Sequence, residues 1–375
     1  MSLAYGVFST SGEPARVGAR RGGRVLDLAE LAAAGRLGAL PESLFAKPTL
    51  NTFMDAGPVA WRECGAHLAG IDPEAGIELE DVLLGLPFAV ADYVDFYACL
   101  HHASNLGRIF RPDSEPLLPN WRHLPVGYHG RAGSIVVSGT PVRRPSGQSK
   151  APDAAAPSFG PSRQLDVELE LGFVIGTPSR LGEPVPLAHA LDHVFGAVLV
   201  NDWSARDIQA WEYQPLGPFL GKSFATSIGA WVIPLDALAP YRVAGPPQRP
   251  EPLPYLRESP WAYDIGLEIE LQGQVVSRTN TSHLYWSVAQ MVAHMTVNGA
   301  ALRTGDLLAS GTISGPEKGS RGSLIELAWN GEEPFELADG SKRTFLLDGD
   351  EVVLRGASAD GAVDLGEVRG RISAR

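Results

Sequence analysis

The chain has 375 residues, of which 44% are hydrophobic and 20% are charged, and its formal net charge is −12. This composition excludes a disordered or fibrous protein, and the length predicts one large domain with a smaller one. The acidic balance is not offset by any cluster of lysine or arginine, so we expect neither nucleic acid nor an anionic membrane as a partner.

The first part of the chain predicts a small β-rich unit followed by short helices. β-like runs alternate with Gly and Pro turns over residues 4–31, and residues 41–86 form short helices and loops. We place a domain boundary near residue 88, giving domains of residues 1–88 and 89–375. Cys64 and Cys99 are the only cysteines, without a CxxC motif, so neither disulfides nor a thiolate zinc site is expected. With no signal peptide and no apolar span long enough for a bilayer, the expectation is a soluble cytoplasmic protein.

Short strands separated by Gly, Pro, Asn and Asp dominate the second domain, so the predicted fold class is mainly β (α+β). The clearest helix is predicted over residues 283–299, where apolar residues recur at helical spacing and Asn298-Gly299 ends the pattern. Proline-rich loops interrupt the strands at 143–163 and 239–260.

The first segment with candidate functional residues, residues 92–111, holds Asp95, Tyr97, the adjacent pair His101-His102 and Arg111. A single histidine is more often structural than catalytic, so neither histidine stands out by itself.

An alternation of acids and aliphatic residues follows in "QLDVELELGFV", residues 164–174. As a strand it places Asp166, Glu168 and Glu170 on one face, and such neighbouring carboxylates favour a bound cation or proton chemistry. A solvated edge strand explains the pattern equally well.

The segment 194–213 predicts a buried strand that runs into Asp202, followed by a helix with Ser204 as cap and Asp207 three residues later. Arg206 and Gln209 would then share a helical face beside a potential metal ligand. A capping and surface role for these residues is the alternative.

Two further charged residues lie in apolar surroundings. Lys222, in "GPFLGKSF", needs a carboxylate or a developing anion beside it if it is buried. The segment lacks the first glycine of a Walker motif, so phosphate binding is rejected. Glu326 alternates with aliphatic residues in a strand-like run, where it could be oriented toward a histidine.

Four acids supply only oxygen ligands: Asp95, Glu168, Glu170 and Asp202. Such a set suits Mg²⁺, Ca²⁺ or Mn²⁺ and argues against zinc, and the pattern of an EF-hand loop is absent. Arg206 and Lys222 would offset the excess negative charge and could hold an anionic substrate.

With these residues assembled, the sequence resembles the fumarylacetoacetase family from about residue 92 to residue 351. The most specific block is "NDWSARDIQAWEYQPLGPFLGKSF", and "HHASNLGRIFR", "VGYHGRAGSIVVSGTPVRRP" and "LDVELELGFVIG" also match. The resemblance implies an N-terminal SH3-like β-barrel, a large catalytic domain of rolled-sheet type, and a homodimer.

The resemblance also implies roles for individual residues. The metal ligands would be Asp95, Glu168, Glu170 and Asp202, while Asp166 is not a family ligand and is expected to be structural. The other implied roles are a general base, His102; a carboxylate that orients it, Glu326; groups that stabilise the leaving carbanion, Arg206, Gln209 and Lys222; and substrate-binding residues, Tyr97, Arg111, Tyr128 and Thr312. One departure from the family pattern is Leu100-His101, where Arg-Gln is expected, which concerns the surroundings of His102.

The implied activity is metal-dependent hydrolysis of 4-fumarylacetoacetate, a small diketo diacid, to fumarate and acetoacetate, the last step of tyrosine and phenylalanine catabolism. Other enzymes of the superfamily remain alternatives, such as an acylpyruvate hydrolase, an oxaloacetate decarboxylase or a diketo-acid isomerase. A non-catalytic calcium-binding β-protein is the alternative from another class, and it would not need His102, Glu326 and Lys222 together.

Overall fold

The N-terminal part of the chain is an antiparallel meander with three helices beside it. The computed structural model describes residues 3–374. A two-residue Gly22-Gly23 turn, with Gly22 at φ 61°, joins the second and third strands, as the right-handed twist of a hairpin favours. The elements of this part are β1 (Ala4–Ser9), β2 (Arg16–Arg21), β3 (Arg24–Asp27), α1 (Leu28–Ala33), α2 (Asn51–Asp55), α3 (Gly57–Ala69), β4 (Ile77–Glu78) and β5 (Leu83–Leu84).

Short strands are the most frequent regular element in the remaining chain, as predicted. They are β6 (Tyr93–Phe96), β7 (Gly127–His129), β8 (Ile135–Val137), β9 (Val142–Arg143), β10 (Ser146–Ser149), β11 (Ser158–Pro161), β12 (Leu165–Asp166), β13 (Leu169–Ile175), β14 (Val194–Asn201), β15 (Ser204–Ala205), β16 (Thr226–Ile228), β17 (Trp231–Pro234), β18 (Arg242–Ala244), β19 (Trp261–Tyr263), β20 (Gly266–Leu271), β21 (Gln274–Asn280), β22 (Leu307–Ala309), β23 (Phe335–Glu336), β24 (Lys342–Arg343), β25 (Glu351–Ala357) and β26 (Asp364–Ser373). The helices are α4 (Leu100–Phe110), α5 (Arg206–Glu212), α6 (Leu235–Leu238), α7 (Val288–Thr296) and α8 (Leu324–Leu327).

One large sheet runs through both parts of the chain, in the order β4-β3-β2-β1-β17-β14-β13-β22-β6-β7. Its central strands β13 and β14 are buried along their whole length, which explains their nearly continuous aliphatic sequences. A second sheet, β21-β20-β25-β26-β9, packs on this centre, with Leu267, Leu354 and Leu199 in one hydrophobic core.

The prediction of a mainly β (α+β) fold is confirmed. The N-terminal strands, expected to form an SH3-like β-barrel, do not close: β1 pairs with both β5 and β17, and the sheets of residues 3–374 are open. The boundary near residue 88 therefore remains a prediction, since one sheet continues across it. None of the helices in the described part of the chain is long and apolar enough to cross a bilayer.

Three local predictions need correction. The helix expected at 283–299 is confirmed only as α7, because Ser287 caps it through a reciprocal bond pair with Gln290. Ser204 is not a helix cap, since it lies in β15 and its hydroxyl donates to the Asp202 carbonyl. Glu326 is not in a strand but in α8, a four-residue helix too short to show a helical period in the sequence.

Candidate active site

The sheet register brings three predicted metal ligands together. β6 runs beside β22, which pairs with β13, and Asp202 directly follows β14 on the other side of β13. Carboxylate oxygens of Asp95, Glu170 and Asp202 lie within 4.8 Å of one another, and all three residues are buried. We call these three residues the acidic pocket.

The acidic pocket has spare ligand atoms. Asp95 Oδ1 and Glu170 Oε1 are buried without a hydrogen-bond partner in the described chain. Burial and the nearby Asp202 charge raise the pKa of Asp95 to about 8, and burial with the neighbouring Asp95 and Asp202 raises that of Glu170 well above its ordinary value. Because unpaired buried carboxylate oxygens are costly and hard divalent cations prefer oxygen ligands, these residues fit Mg²⁺, Ca²⁺ or Mn²⁺.

The fourth predicted ligand, Glu168, lies outside this group of three. Its Oε1 is 2.7 Å from Arg206 Nη2 and 3.9 Å from His102 Nε2, while its Oε2 accepts from Lys222 Nζ. Burial alone would raise the pKa of Glu168, but the charges of Arg206 and Lys222 outweigh burial and hold it below its usual range. Glu168 thus stands between the acidic pocket and the histidine.

Lys222 is buried, at 3% exposure, and bridges two carboxylates. Its Nζ donates to Glu168 and, over 2.7 Å, to Asp202 Oδ2. Burial lowers the pKa of Lys222, but Asp202 and Glu168 outweigh burial and raise it, so this lysine is an ammonium at neutral pH. The sequence-based expectation of a carboxylate beside Lys222 is met by two.

His102 and Glu326 form a buried pair. His102, in α4, places Nδ1 2.7 Å from Oε2 of Glu326 in α8. Burial would raise the pKa of Glu326, but the His102 contact and the other donors hold it below its ordinary value. An ionised Glu326 only accepts, so Nδ1 donates its proton to Oε2, and Nε2 lies on the side of Glu168.

Three more donors fix the Glu326 carboxylate. Asn105 Nδ2 donates to Oε1 over 2.9 Å, and the hydroxyls of Ser314 and Ser323 donate to Oε2 over 2.9 and 2.7 Å. The sequence interpretation missed these residues. Asn105 could have been found, because it follows His102 by three positions and so shares its helical face.

Arg206 and Gln209 share one face of α5, as predicted. Arg206 Nη1 donates to Gln209 Oε1 over 3.2 Å, and Arg206 Nε donates to Asp166 Oδ2 over 2.8 Å. Arg206 also contacts Glu168, as Lys222 does, so α5 places Arg206 and its partner Gln209 near the carboxylate that both cations share.

Of the four predicted substrate-binding residues, Tyr97 and Tyr128 contact site residues directly. The Tyr97 ring meets the His102 ring edge to face, with centroids 5.3 Å apart, and Arg111 lies near enough to Tyr97 to lower the pKa that burial raises. Tyr128 donates to Asp95 Oδ2 over 2.8 Å. Thr312 is buried, and its hydroxyl has no partner within residues 3–374.

Arg131 is a further site residue that sequence interpretation missed. Its guanidinium pairs with Asp202, donates to the Tyr128 hydroxyl over 2.9 Å and lies over the Tyr93 ring at 4.9 Å. Arg131 is within the "VGYHGRAGS" block, but nothing in its spacing singles it out, because it follows β7 in a loop.

The departure at Leu100-His101 leaves the His102 pair intact. The half-buried His101 ring packs edge to face against His283, with centroids 5.6 Å apart. Burial lowers the pKa of His101, and the nearby Glu326 charge acts in the opposite direction, so His101 lies within electrostatic reach of the carboxylate that His102 contacts.

Comparisons with known proteins agree on one family. The family model described as fumarylacetoacetate (FAA) hydrolase C-terminal matches residues 93–373, and fumarylacetoacetase N-terminal matches residues 2–75. Fumarylacetoacetase of Homo sapiens is 46% identical, covering 99% of this chain and 95% of the human protein. That of Arabidopsis thaliana is 45% identical, covering 97% of this chain and 92% of the plant protein.

Solved structures share the fold at much lower identity. Fumarylacetoacetate hydrolase from psychrophilic Exiguobacterium antarcticum is 20% identical with a TM-score of 0.62, and covers 100% of both chains. Maleylpyruvate hydrolase from Sphingobium sp. SYK-6 is 16% identical with a TM-score of 0.56, covering 99% of this chain and 100% of that one. Similarity at this level concerns the fold alone.

Proposed function

This chain belongs to the fumarylacetoacetase family, and we propose how its buried site carries out the reaction of that family. The chain is a hydrolase that cleaves the carbon–carbon bond of 4-fumarylacetoacetate to give fumarate and acetoacetate. The human fumarylacetoacetase is 46% identical over nearly the whole chain, including the N-terminal part, and this similarity favours the fumarylacetoacetase reaction over the other reactions of the superfamily.

We assign the general base to His102. The proposal is supported by the 2.7 Å contact between Nδ1 and the ionised Glu326, which leaves Nε2 to take a proton from water as the water oxygen bonds to the substrate carbonyl carbon. The carboxylate of Glu326 then stabilises the imidazolium, in the same way as the aspartate of a catalytic triad.

Arg206, Lys222 and Gln209 are proposed to stabilise the leaving group. When the carbon–carbon bond breaks, its electron pair passes to the departing acetoacetate, where charge spreads onto the enolate oxygen. The support is that both cations are buried against Glu168: Arg206 contacts Oε1, the oxygen that approaches His102, and Lys222 contacts Oε2. Buried donors already in place stabilise developing charge without rearranging. The proton that His102 took from water then passes from its imidazolium to the leaving carbon, which completes the reaction and restores the base.

The acidic pocket is proposed to hold a divalent ion through Asp95, Glu170 and Asp202, with Glu168 as the fourth ligand. When bound, such an ion would supply Lewis-acid polarisation of the diketone oxygens. Mg²⁺ and Ca²⁺ are the proposed ions, and Mn²⁺ also suits the oxygen ligands. The orphaned oxygens of Asp95 and Glu170 support the site.

The substrate is proposed to be oriented by Tyr97, Arg111, Tyr128 and Thr312. Arg111 offers a cation to a substrate carboxylate, and Thr312 offers a buried hydroxyl without another partner within residues 3–374. We also propose a cytoplasmic homodimer that acts in tyrosine and phenylalanine catabolism. The two free, buried cysteines support a reducing compartment, and light scattering should give twice the chain mass of 39.9 kDa.

The direct test is hydrolysis of fumarylacetoacetate, followed by the loss of its diketone absorbance. The intact protein should turn over, and both the chelated protein and His102→Ala should not, while His189→Ala, at an exposed histidine, serves as the matched control. An intact, metal-loaded protein without turnover would reject the proposed reaction, and full activity in His102→Ala would reject the base.

A further inference from the structure

Asp166, the first acid of the alternation in residues 164–174, accepts hydrogen bonds from two separate parts of the site. It lies at the end of β12 with no solvent exposure. Oδ1 accepts from the backbone N–H groups of Val167 and Leu324, each over 2.7 Å. Oδ2 accepts from Arg206 Nε over 2.8 Å and from the Ile325 N–H over 3.1 Å.

One end of this network carries the partner of the catalytic histidine. Leu324 and Ile325 are the first two residues of α8, and Glu326 is the next. Ser323 makes no side-chain cap there, because its hydroxyl is used on Glu326 itself. Asp166 thus supplies the acceptor that the first backbone N–H groups of α8 would otherwise lack.

The other end carries the cation that faces the leaving group. The Asp166 contact takes Arg206 Nε, while Nη1 and Nη2 point to Gln209 and Glu168. Because the guanidinium is planar, holding Nε also restricts Nη1, which donates to Gln209, and Nη2, which lies 2.7 Å from Glu168 Oε1 as an ion pair.

We propose that Asp166 is a positioning residue that holds Arg206 and the Glu326-bearing turn in register, so that one carboxylate aligns both halves of the reaction site. The inference rests on the roles of Arg206 and Glu326 proposed above. It goes beyond them, because Asp166 touches neither the reacting atoms nor the acidic pocket within the described contacts.

The charge of Asp166 is needed for this role. All four atoms that face its carboxylate are donors, so the isosteric Asp166→Asn change would place an amide NH₂ against at least one pair of them. A buried donor without an acceptor is costly, and relaxation would move α8 or Arg206. A misplacement of about 1 Å can lower the rate about 100-fold.

Asp350 provides a matched control. It is also buried, at 2% exposure, and accepts from Arg343 Nε and Nη2 and from the Leu347 N–H, but it bonds none of the site residues. Asp350→Asn therefore breaks a network of the same kind, an arginine with backbone N–H groups, away from the reaction.

The test uses the metal-loaded full chain and measures kcat, KM and the ¹H–¹⁵N resonance of the His102 Nδ1–H group. This resonance is identified by its absence in His102→Ala. In Asp166→Asn we expect kcat to fall about 100-fold with KM changed less than about threefold, and the proton resonance to shift or exchange away. Asp350→Asn should lose stability but keep both the kcat of its folded fraction and the resonance.

Unchanged kcat and resonance in folded Asp166→Asn would overturn the positioning role. If Asp166→Asn does not fold, Asp166→Ser is tested in the same way. If neither variant folds while Asp350→Asn does, Asp166 is needed only for folding and the positioning role is overturned. A wild-type protein without turnover would overturn the proposed reaction instead, and the resonance would still decide whether Asp166 positions Glu326.

Discussion

Replacing Glu326 by glutamine should disable the base without removing any side-chain volume. The carboxylate accepts from four donors, His102, Asn105, Ser314 and Ser323, and all four contacts are 2.7 to 2.9 Å long. Glutamine has one acceptor oxygen and one NH₂ group. Whichever way its amide turns, at least one of these donors meets an N–H group.

The effect on the rate follows from which donor loses its acceptor. If the NH₂ group faces His102, Nδ1 must accept and the ring proton moves to Nε2, which then cannot take a proton from water. If the amide oxygen faces His102, the imidazolium loses its negative partner. In the comparable exchange of a triad carboxylate for an amide the rate drops about 10⁴-fold, so we expect a loss of about 10³–10⁴-fold in kcat, or about 4–5 kcal/mol in the barrier.

The assay is steady-state hydrolysis of fumarylacetoacetate by metal-saturated Glu326→Gln. Glu332→Gln, at an exposed glutamate in the same part of the chain, is the control and should behave as wild type. A kcat for Glu326→Gln within tenfold of wild type would show that the carboxylate does not support the base.

Three further predictions concern metal, charge and pH. Mg²⁺ or Ca²⁺ at about 100 times its Kd should stabilise the wild-type protein by about 2.7 kcal/mol in thermal unfolding. Asp95→Asn replaces a carboxylate that has an unpartnered oxygen and should lose most of this stabilisation. Equal stabilisation of both proteins by the metal would contradict the proposed site. Lys222→Met should lower the free energy of unfolding in urea by about 3–5 kcal/mol, because Glu168 and Asp202 lose their shared buried cation. A smaller decrease in the presence of added metal would show that the metal ion replaces the lysine charge. An unchanged free energy of unfolding would contradict the ion pairs. Because the pKa of Glu326 is lowered in the folded state, its ionised form stabilises the fold at pH values above the unfolded-state pKa of about 4.3, and this stabilisation is lost as the pH falls through the lower folded-state pKa. The urea midpoint of wild type should therefore exceed that of Glu326→Gln by less and less as the pH falls. A difference between the two midpoints that does not change with pH would contradict this.

The sequence was sufficient for the fold class, because the strand pattern is short-range, whereas the set of metal ligands was implied only by the family resemblance. Alternation in residues 164–174 grouped Asp166, Glu168 and Glu170, but it could not separate their partners. Those partners come from distant segments: Asp95 for Glu170, Lys222 for Glu168, and the start of α8 for Asp166.

Residues outside regular elements were the ones that the sequence could not assign. Arg131 lies in a loop, and only the sheet register brings that loop to Asp202. Glu326 was expected in a strand because a four-residue helix has little more than one turn, so its apolar spacing cannot be told from alternation.

The pairing of β1 with β17 also bears on the order of events during synthesis. Phe8 and Ser9 on the outer edge of β1 pair with β5, but Tyr5 pairs with Val232 and Gly6 with Trp231, so this first part of the edge stays open until residue 232 has been synthesised. At roughly 5–20 residues per second this delay lasts about 10–50 s. Part of one edge of the nascent N-terminal meander therefore stays unpaired over this time, and an unpaired strand edge is a place where chains can aggregate.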